Sequence, residues 1–137
     1  MIRVTVPGQP IAKGRARAAI MGGRTRMFTP AKTVNYEGLI AHEGADAMAG
    51  REPLQGPLAV TVFAYFQLPK TVTKARRALV AAGKDFHVSR PDGDNVLKAV
   101  GDGLNGVVWR DDSQIASAQI VKVYSDTPRL VIEVRQL

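Results

Sequence analysis

Apolar and polar residues alternate from Ile2 to Val6, from Ala116 to Tyr124 and from Leu130 to Val134. This period-two pattern belongs to strands with one buried face. The first of these runs ends at Pro7-Gly8, and Ser125-Asp126-Thr127-Pro128 separates the last two, so the C-terminal pair reads as an antiparallel hairpin. Leu58 to Leu68 is apolar on both faces and rich in β-branched and aromatic residues, which predicts a strand near the centre of a sheet. A different period governs three other stretches. Thr29-Pro30 offers an N-cap and an N1 proline for a helix reaching about Met48; Thr73 caps a short helix through Ala82, stopped by Gly83. Leu97, Val100, Gly101 and Leu104 give a helix one apolar face, between Pro91 and the stop signal Asn105-Gly106. Gln9 to Met27 shows neither period and reads as a loop or irregular ribbon, and His87 to Arg90 reads as an extended lead-in. The expected fold is α/β (mixed α+β): a single mixed sheet of four to five strands covered by about three helices.

With 137 residues, the chain is expected to form one domain, residues 1–137, large enough to bury about two thirds of its unfolded surface. The absence of cysteine excludes a thiolate nucleophile and a Cys-based zinc site, and the fold owes nothing to an oxidising compartment. No apolar leader or membrane-length run occurs, so a cytoplasmic, membrane-free protein is expected. Charge changes the picture more. Residues 1–90 hold 14 Lys+Arg against 5 Asp+Glu, whereas residues 91–137 hold 5 against 7. The basic part suits a polyanion, because phosphate contacts release counterions. Lys13, Arg15, Arg17, Arg24 and Arg26, interleaved with glycines, are the first candidate DNA contacts; Arg76 and Arg77 on the short helix are the second. Phe28 is the only aromatic near the first group, which gives base stacking little support there.

Within this basic chain, five of the 12 acidic residues fall between Arg90 and Ile115, all of them Asp. Like charges packed so closely repel, and a bound cation is the simplest compensation. Asp94 and Lys98 lie one helical turn apart, Asp92 stands at the helix mouth, and a loop returning from Trp109 would set Asp112 beside them. Short carboxylates suit a hard divalent ion such as Mg²⁺. Two ions about 3.5–4 Å apart would activate a water and stabilise a leaving oxygen, with Lys98 adding charge for the transition state. An EF-hand is excluded, since Val96 and Leu97 occupy the positions where an oxygen ligand and glycine are required.

Asp92-x-Asp94-Asn95-x-x-Lys98-x-x-x-Asp102-x-Leu104-Asn105-Gly106, followed by Trp109-x-Asp111-Asp112-x-Gln114, resembles the signature of RusA-type Holliday junction resolvases. The Pro7-Gly-Gln-Pro-Ile-Ala-Lys-Gly-Arg-Ala-Arg17 segment is similar to the N-terminal segment of phage-type members. The resemblance implies a Mg²⁺-dependent (or Mn²⁺-dependent) crossover junction endodeoxyribonuclease acting in DNA recombination and repair. It further implies that Asp92, Asp94 and Asp112 are essential, that Asp111 assists them in holding metal, and that Lys98 is the catalytic lysine. A homodimer nicking two opposed strands of a four-way junction follows from it as well. Gly101 and Gly103 stand where many relatives carry bulkier residues, each costing a helix up to about 1 kcal/mol against Ala.

Two other functions fit the residues. One is a branched-DNA-binding protein whose Asp cluster does no chemistry. The other is a Mg²⁺-dependent phosphohydrolase of small nucleotides, for which the cationic N-terminal segment would be superfluous.

Overall fold

The computed structural model describes the main chain of residues 1–12, 17–21, 23–28 and 31–137, and the side chains of 1–12, 23, 31 and 33–137. Four strands form its sheet: β1 (Ile2–Pro7), β4 (Leu58–Gln67), β5 (Ile115–Ser125) and β6 (Arg129–Gln136). Their order is β1-β6-β4-β5, with β4 and β5 parallel and the other neighbours antiparallel. One side chain in two points inward. Ile2, Val4 and Val6 of β1, Val60, Val62, Ala64 and Phe66 of β4, and Leu130, Ile132 and Val134 of β6 make the sheet's share of the core. Helices α1 (Ala31–Met48), α2 (Lys74–Ala81) and α3 (Gly93–Leu104) complete the α+β fold, with α1 and α3 packed together.

Two sequence expectations change. The C-terminal strands do not form a hairpin: β4 lies between β5 and β6 and pairs with both. Because β4 is apolar on both faces, a central place with partners on each side satisfies it best, and the link between β5 and β6 is long enough to straddle one strand spacing of about 4.8 Å on either side. At the crossing the Leu68 amide donates to Ser125 O, and the Thr127 amide donates to Ser125 Oγ. The second change concerns residues 9–27, read as irregular. They contribute a β-hairpin, β2 (Arg17–Met21) with β3 (Arg24–Phe28), in which Met21 faces Arg24. Two residues separate Met21 from Arg24, and Gly23 takes the positive φ that so short a turn requires. The anticipated Thr29-Pro30 start of the first helix lies outside the described residues.

Glycine sets how closely α1 and α3 approach. A Cβ on Gly103 would stand 2.8 Å from Ile40 Cγ2 and 3.2 Å from Glu37 O, and one on Gly44 would overlap Leu104. Gly103 in α3 and Gly44 in α1 therefore trade helix propensity for close contact between the two helices. Among the described residues, no helix is long and apolar enough to cross a membrane.

Candidate functional site

The acidic stretch occupies the connection that carries the chain from β4 to the parallel β5. It begins with a strap beside β5: the His87 amide donates to Lys122 O, the Tyr124 amide donates to Asp85 O, and Lys122 Nζ donates to Ser89 O at 2.8 Å. His87 is buried, stacked on Phe66 with centroids 3.7 Å apart. Burial first, and the nearby Lys122 charge second, hold its imidazole below the usual histidine pKa. The strap delivers Asp92 to the N-cap of α3, yet the Asp92 carboxylate makes no capping hydrogen bond and remains exposed. An N-cap Asp normally accepts from the helix's first amides, so this one is left available for another partner.

Helix α3 is amphipathic as expected. Val96, Ala99, Val100, Gly101, Gly103 and Leu104 are buried, while Asp94 and Lys98 are exposed. At 100° per residue, positions 94, 98 and 101 share one face. Gly101 is buried there because the returning loop covers it: a Cβ at Gly101 would lie 3.3 Å from Asp112 Oδ2. Hence the loop does bring Asp112 back to the helix, but it meets α3 at Gly101, two turns beyond Asp94, and not at the helix mouth. Among the described residues, no three carboxylate or imidazole side chains stand together as a ready-made ion site. Their donor chemistry nonetheless suits a hard divalent ion, which usually takes one or two carboxylates and completes its octahedron with water and substrate phosphate.

The loop holding Asp112 is bolted down at several points. Trp109 is fully buried, its Nε1–H donates to Asn105 Oδ1 at 2.8 Å, and the Gly106 amide donates to Trp109 O at 2.7 Å. Asp111 caps the single 3₁₀ turn Asp112–Gln114 by accepting from the Ser113 amide, and Gln114 Oε1 accepts from the Arg110 and Asp111 amides. Gln114 Nε2 reaches across to donate to Leu54 O and Gly56 O. The Ser113 hydrogen bond holds the Asp111 carboxyl below the usual carboxylate range. Asp111 thus has a structural task beside the assisting role implied for it.

The sequence reading gave Asn105-Gly106 as a helix stop, Trp109 as the start of the returning loop and Gln114 as part of a signature; the structure gives each a task in seating Asp112. Gly101, counted there as a cost, makes the space for the Asp112 carboxylate. No spacing rule reveals this, because the neighbour comes from outside the helix. Of the candidate DNA contacts, Arg76 is partly committed: its Nε lies 2.7 Å from Asp85 Oδ2 and its guanidinium stands over the Tyr124 ring. Arg77 Nη1 lies 3.9 Å from Asp126 on the surface. Lys13, Arg15 and the side chains of Arg17, Arg24 and Arg26 fall outside the described residues.

Comparison with known proteins decides the lineage. The family model "Endodeoxyribonuclease RusA" matches residues 7–135. The chain belongs to the RusA endodeoxyribonuclease family. Its fellow members are nucleases of the Holliday junction resolvase type, so the family and the acidic helix point to the same class of chemistry. A relative in Bacillus subtilis (strain 168), the uncharacterized protein YqaN, is 33% identical over 138 residues, spanning 99% of this chain and 96% of that protein. The family match encloses both the α3 acids and the cationic N-terminal segment.

Proposed function

We propose that this chain is a Mg²⁺-dependent endonuclease that resolves four-way DNA junctions by paired nicking, acting as a homodimer in cytoplasmic DNA recombination and repair. The observation that carries the reading is the seating of Asp112 Oδ2 against Gly101, which adds a loop carboxylate to the face of α3 that bears Asp94 and Lys98. Asp92, unspent as a cap at the same helix, supplies a further oxygen donor.

In this reading Asp92, Asp94 and Asp112 hold Mg²⁺, or Mn²⁺ in its place, and Asp111 supports them while capping its turn. When bound, the ion supplies positive charge against the scissile phosphodiester and makes a water more acidic. Lys98 offsets the negative charge that develops on the phosphoryl oxygens. Uncompensated, the carboxylates would repel the backbone of the substrate, so the cations at Lys13, Arg15, Arg17, Arg24, Arg26 and Arg77 supply the attraction that brings DNA to an acidic centre. Arg76, tied to Asp85, contributes through the shape of that surface more than as a free charge.

Incision of a synthetic four-way junction, with and without Mg²⁺ and with linear duplex as control, tests the proposal. Symmetrically paired nicks in the junction alone, lost on chelation, are expected; equal cutting of linear duplex, or nicking unaffected by chelation, refutes it. A second reading, a branched-DNA binder without catalysis, draws on the lack of a ready-made ion site among the described residues. Tight junction binding with no incision at any Mg²⁺ or Mn²⁺ concentration would favour it.

A further inference from the structure

Ile120, Lys122 and Tyr124 share one face of β5, and the strap that leads into α3 runs antiparallel to that strand. The Tyr124 amide donates to Asp85 O and the His87 amide to Lys122 O, each at 2.9 Å. Further along, a Cβ on Gly93, the first residue of α3, would lie 3.2 Å from Ile120 Cγ2. Between His87 and Asp92, one hydrogen bond among the described residues ties the strap to β5: Lys122 Nζ donates to Ser89 O at 2.8 Å. The Lys122 ammonium has no other visible task. It is half-buried, with Nζ 5.9 Å from the centroid of the Phe66 ring, and no described carboxylate forms an ion pair with it. A lysine drawn inward normally keeps its ammonium in water or beside an acid. This one is committed to a main-chain carbonyl, through a charge-assisted bond of the stronger kind.

We infer that Lys122 is a positioning residue for the nuclease site: by holding Ser89 O it fixes the course of the strap, and thereby the place of the Asp92 carboxylate. The inference rests on the nuclease reading, in which Asp92 is one of the acids that hold the metal. Asp92 does not anchor itself, since its side chain makes no capping hydrogen bond. Released from Lys122, residues 88–91 would span from the His87 amide to the mouth of α3 as up to about 13 Å of extended chain, enough slack for the end of the strap to shift by about an ångström. The base from which Lys122 acts is firm, because its own main chain pairs with Ala64 at the centre of the sheet. Lys122 touches neither the metal-holding carboxylates nor Lys98, so its influence on the reaction passes through the strap. Partners that hold a metal ligand in place typically govern metal affinity or activity by about 10- to 100-fold. An ammonium laid directly on a DNA phosphate would behave differently: its loss would weaken junction binding and lower the salt slope by about 1.

Lys122→Met keeps the apolar stem and removes the donor, whereas Lys122→Arg keeps a cationic donor; Lys122→Gln, uncharged and shorter by one atom, replaces the first should it not fold. Full-length protein is measured in three ways: kcat and KM for Mg²⁺-driven incision of a four-way junction, Mn²⁺ affinity of the DNA-free protein from the free-ion electron paramagnetic resonance signal, and thermal melts. Lys122→Met is expected to lower kcat about 10- to 100-fold and Mn²⁺ affinity about tenfold, with the junction KM within about twofold of the parent. Lys122→Arg should recover both losses to within about threefold. A raised KM with a salt slope lower by about 1 overturns the inference, because it makes Lys122 a phosphate contact. Parent-like Mn²⁺ affinity in folded Lys122→Met overturns it too, as does a Lys122→Arg variant that melts like the parent yet incises no better than Lys122→Met. Equal incision by the parent and Lys122→Met refutes the positioning role and leaves the nuclease. Weakened Mn²⁺ affinity in Lys122→Met, with no incision by the parent, refutes the nuclease and leaves the positioning role.

Discussion

Gly101 offers a direct way to separate the site from the fold. Replacing it with Ala puts a methyl group 3.3 Å from Asp112 Oδ2 and 3.6 Å from Asp112 Cβ, inside the roughly 3.5–4.0 Å optimum for the first of these contacts. The carboxylate must then yield by a few tenths of an ångström, and it can, because Asp112 is exposed on a single 3₁₀ turn. Ala also recovers about 1 kcal/mol of helix propensity, so the two effects nearly cancel in stability. The expected thermal midpoint lies within about 4 °C of the unaltered protein. Catalysis has no such compensation: a displacement of about 1 Å at a reacting group costs roughly 10²-fold, so the smaller shift here should slow nicking about tenfold. Gly103→Ala is the control. Its Cβ would meet Ile40 at 2.8 Å and the Glu37 carbonyl at 3.2 Å, with rigid helix on both sides. Overpacking of that kind costs about 1–3 kcal/mol, offset by the same gain of about 1 kcal/mol in propensity, and because backbone cannot yield as an exposed carboxylate does, the midpoint should fall by up to roughly 6 °C. Single-turnover nicking of a four-way junction, beside thermal melts of both variants, provides the comparison. Wild-type nicking by Gly101→Ala, or a melt that falls as far as that of Gly103→Ala, would refute the idea that Gly101 exists to seat Asp112.

Asp94→Asn should abolish cleavage and keep or tighten junction binding, since it removes a ligand and a repulsive charge together; gel shift and nicking on one preparation decide this, and residual nicking would defeat the assignment. Lys98→Ala should lower the nicking rate by about 10²-fold or more with an unchanged melt, as its side chain is exposed; a lost thermal transition would count against it. Burial holds the His87 imidazole below its ordinary pKa of 6.5, so the unfolded chain binds more protons as pH drops through that value and stability falls there. Melts of the parent and His87→Phe from pH 7.5 to 5 should show the steeper loss only in the parent. Neutralising Arg15, Arg17, Arg24 and Arg26 together should reduce the salt slope of junction binding by roughly 3–4; an unchanged slope would indicate that these cations do not meet phosphate.

Local signals carried much of this fold. Ile2 to Val6, Leu58 to Leu68 and the stretch from Thr73 to Ala82 lie where alternation, β-branching and the Thr73 cap predicted them, because neighbours in sequence decide those elements. Pairing of distant strands is different: no residue in Ser125–Pro128 reveals that β4 will pass between the strands it joins, since that outcome depends on the appetite of β4 for two partners. The early hairpin is not legible in the sequence because Arg17-Ala-Ala-Ile-Met21 has no alternation; only the positive φ of Gly23 marks its turn. At the site, the residue types and the helix face were readable from spacing. Where Asp112 would land was not, because the Gln114 bridge to Leu54 and Gly56 joins segments more than 50 positions apart.

The path from β4 to β5 bears every aspartate of the candidate site, from Asp92 to Asp112, as one uninterrupted stretch. The protein's tolerance of inserted residues should therefore be sharply uneven. Extra length between Lys70 and Thr73, ahead of α2, leaves the spacing of those acids intact. One added residue between Gly106 and Trp109 would unseat the indole from Asn105 and swing the following carboxylates off the helix. Added length is thus expected to be tolerated ahead of α2 and not between Asp92 and Asp112.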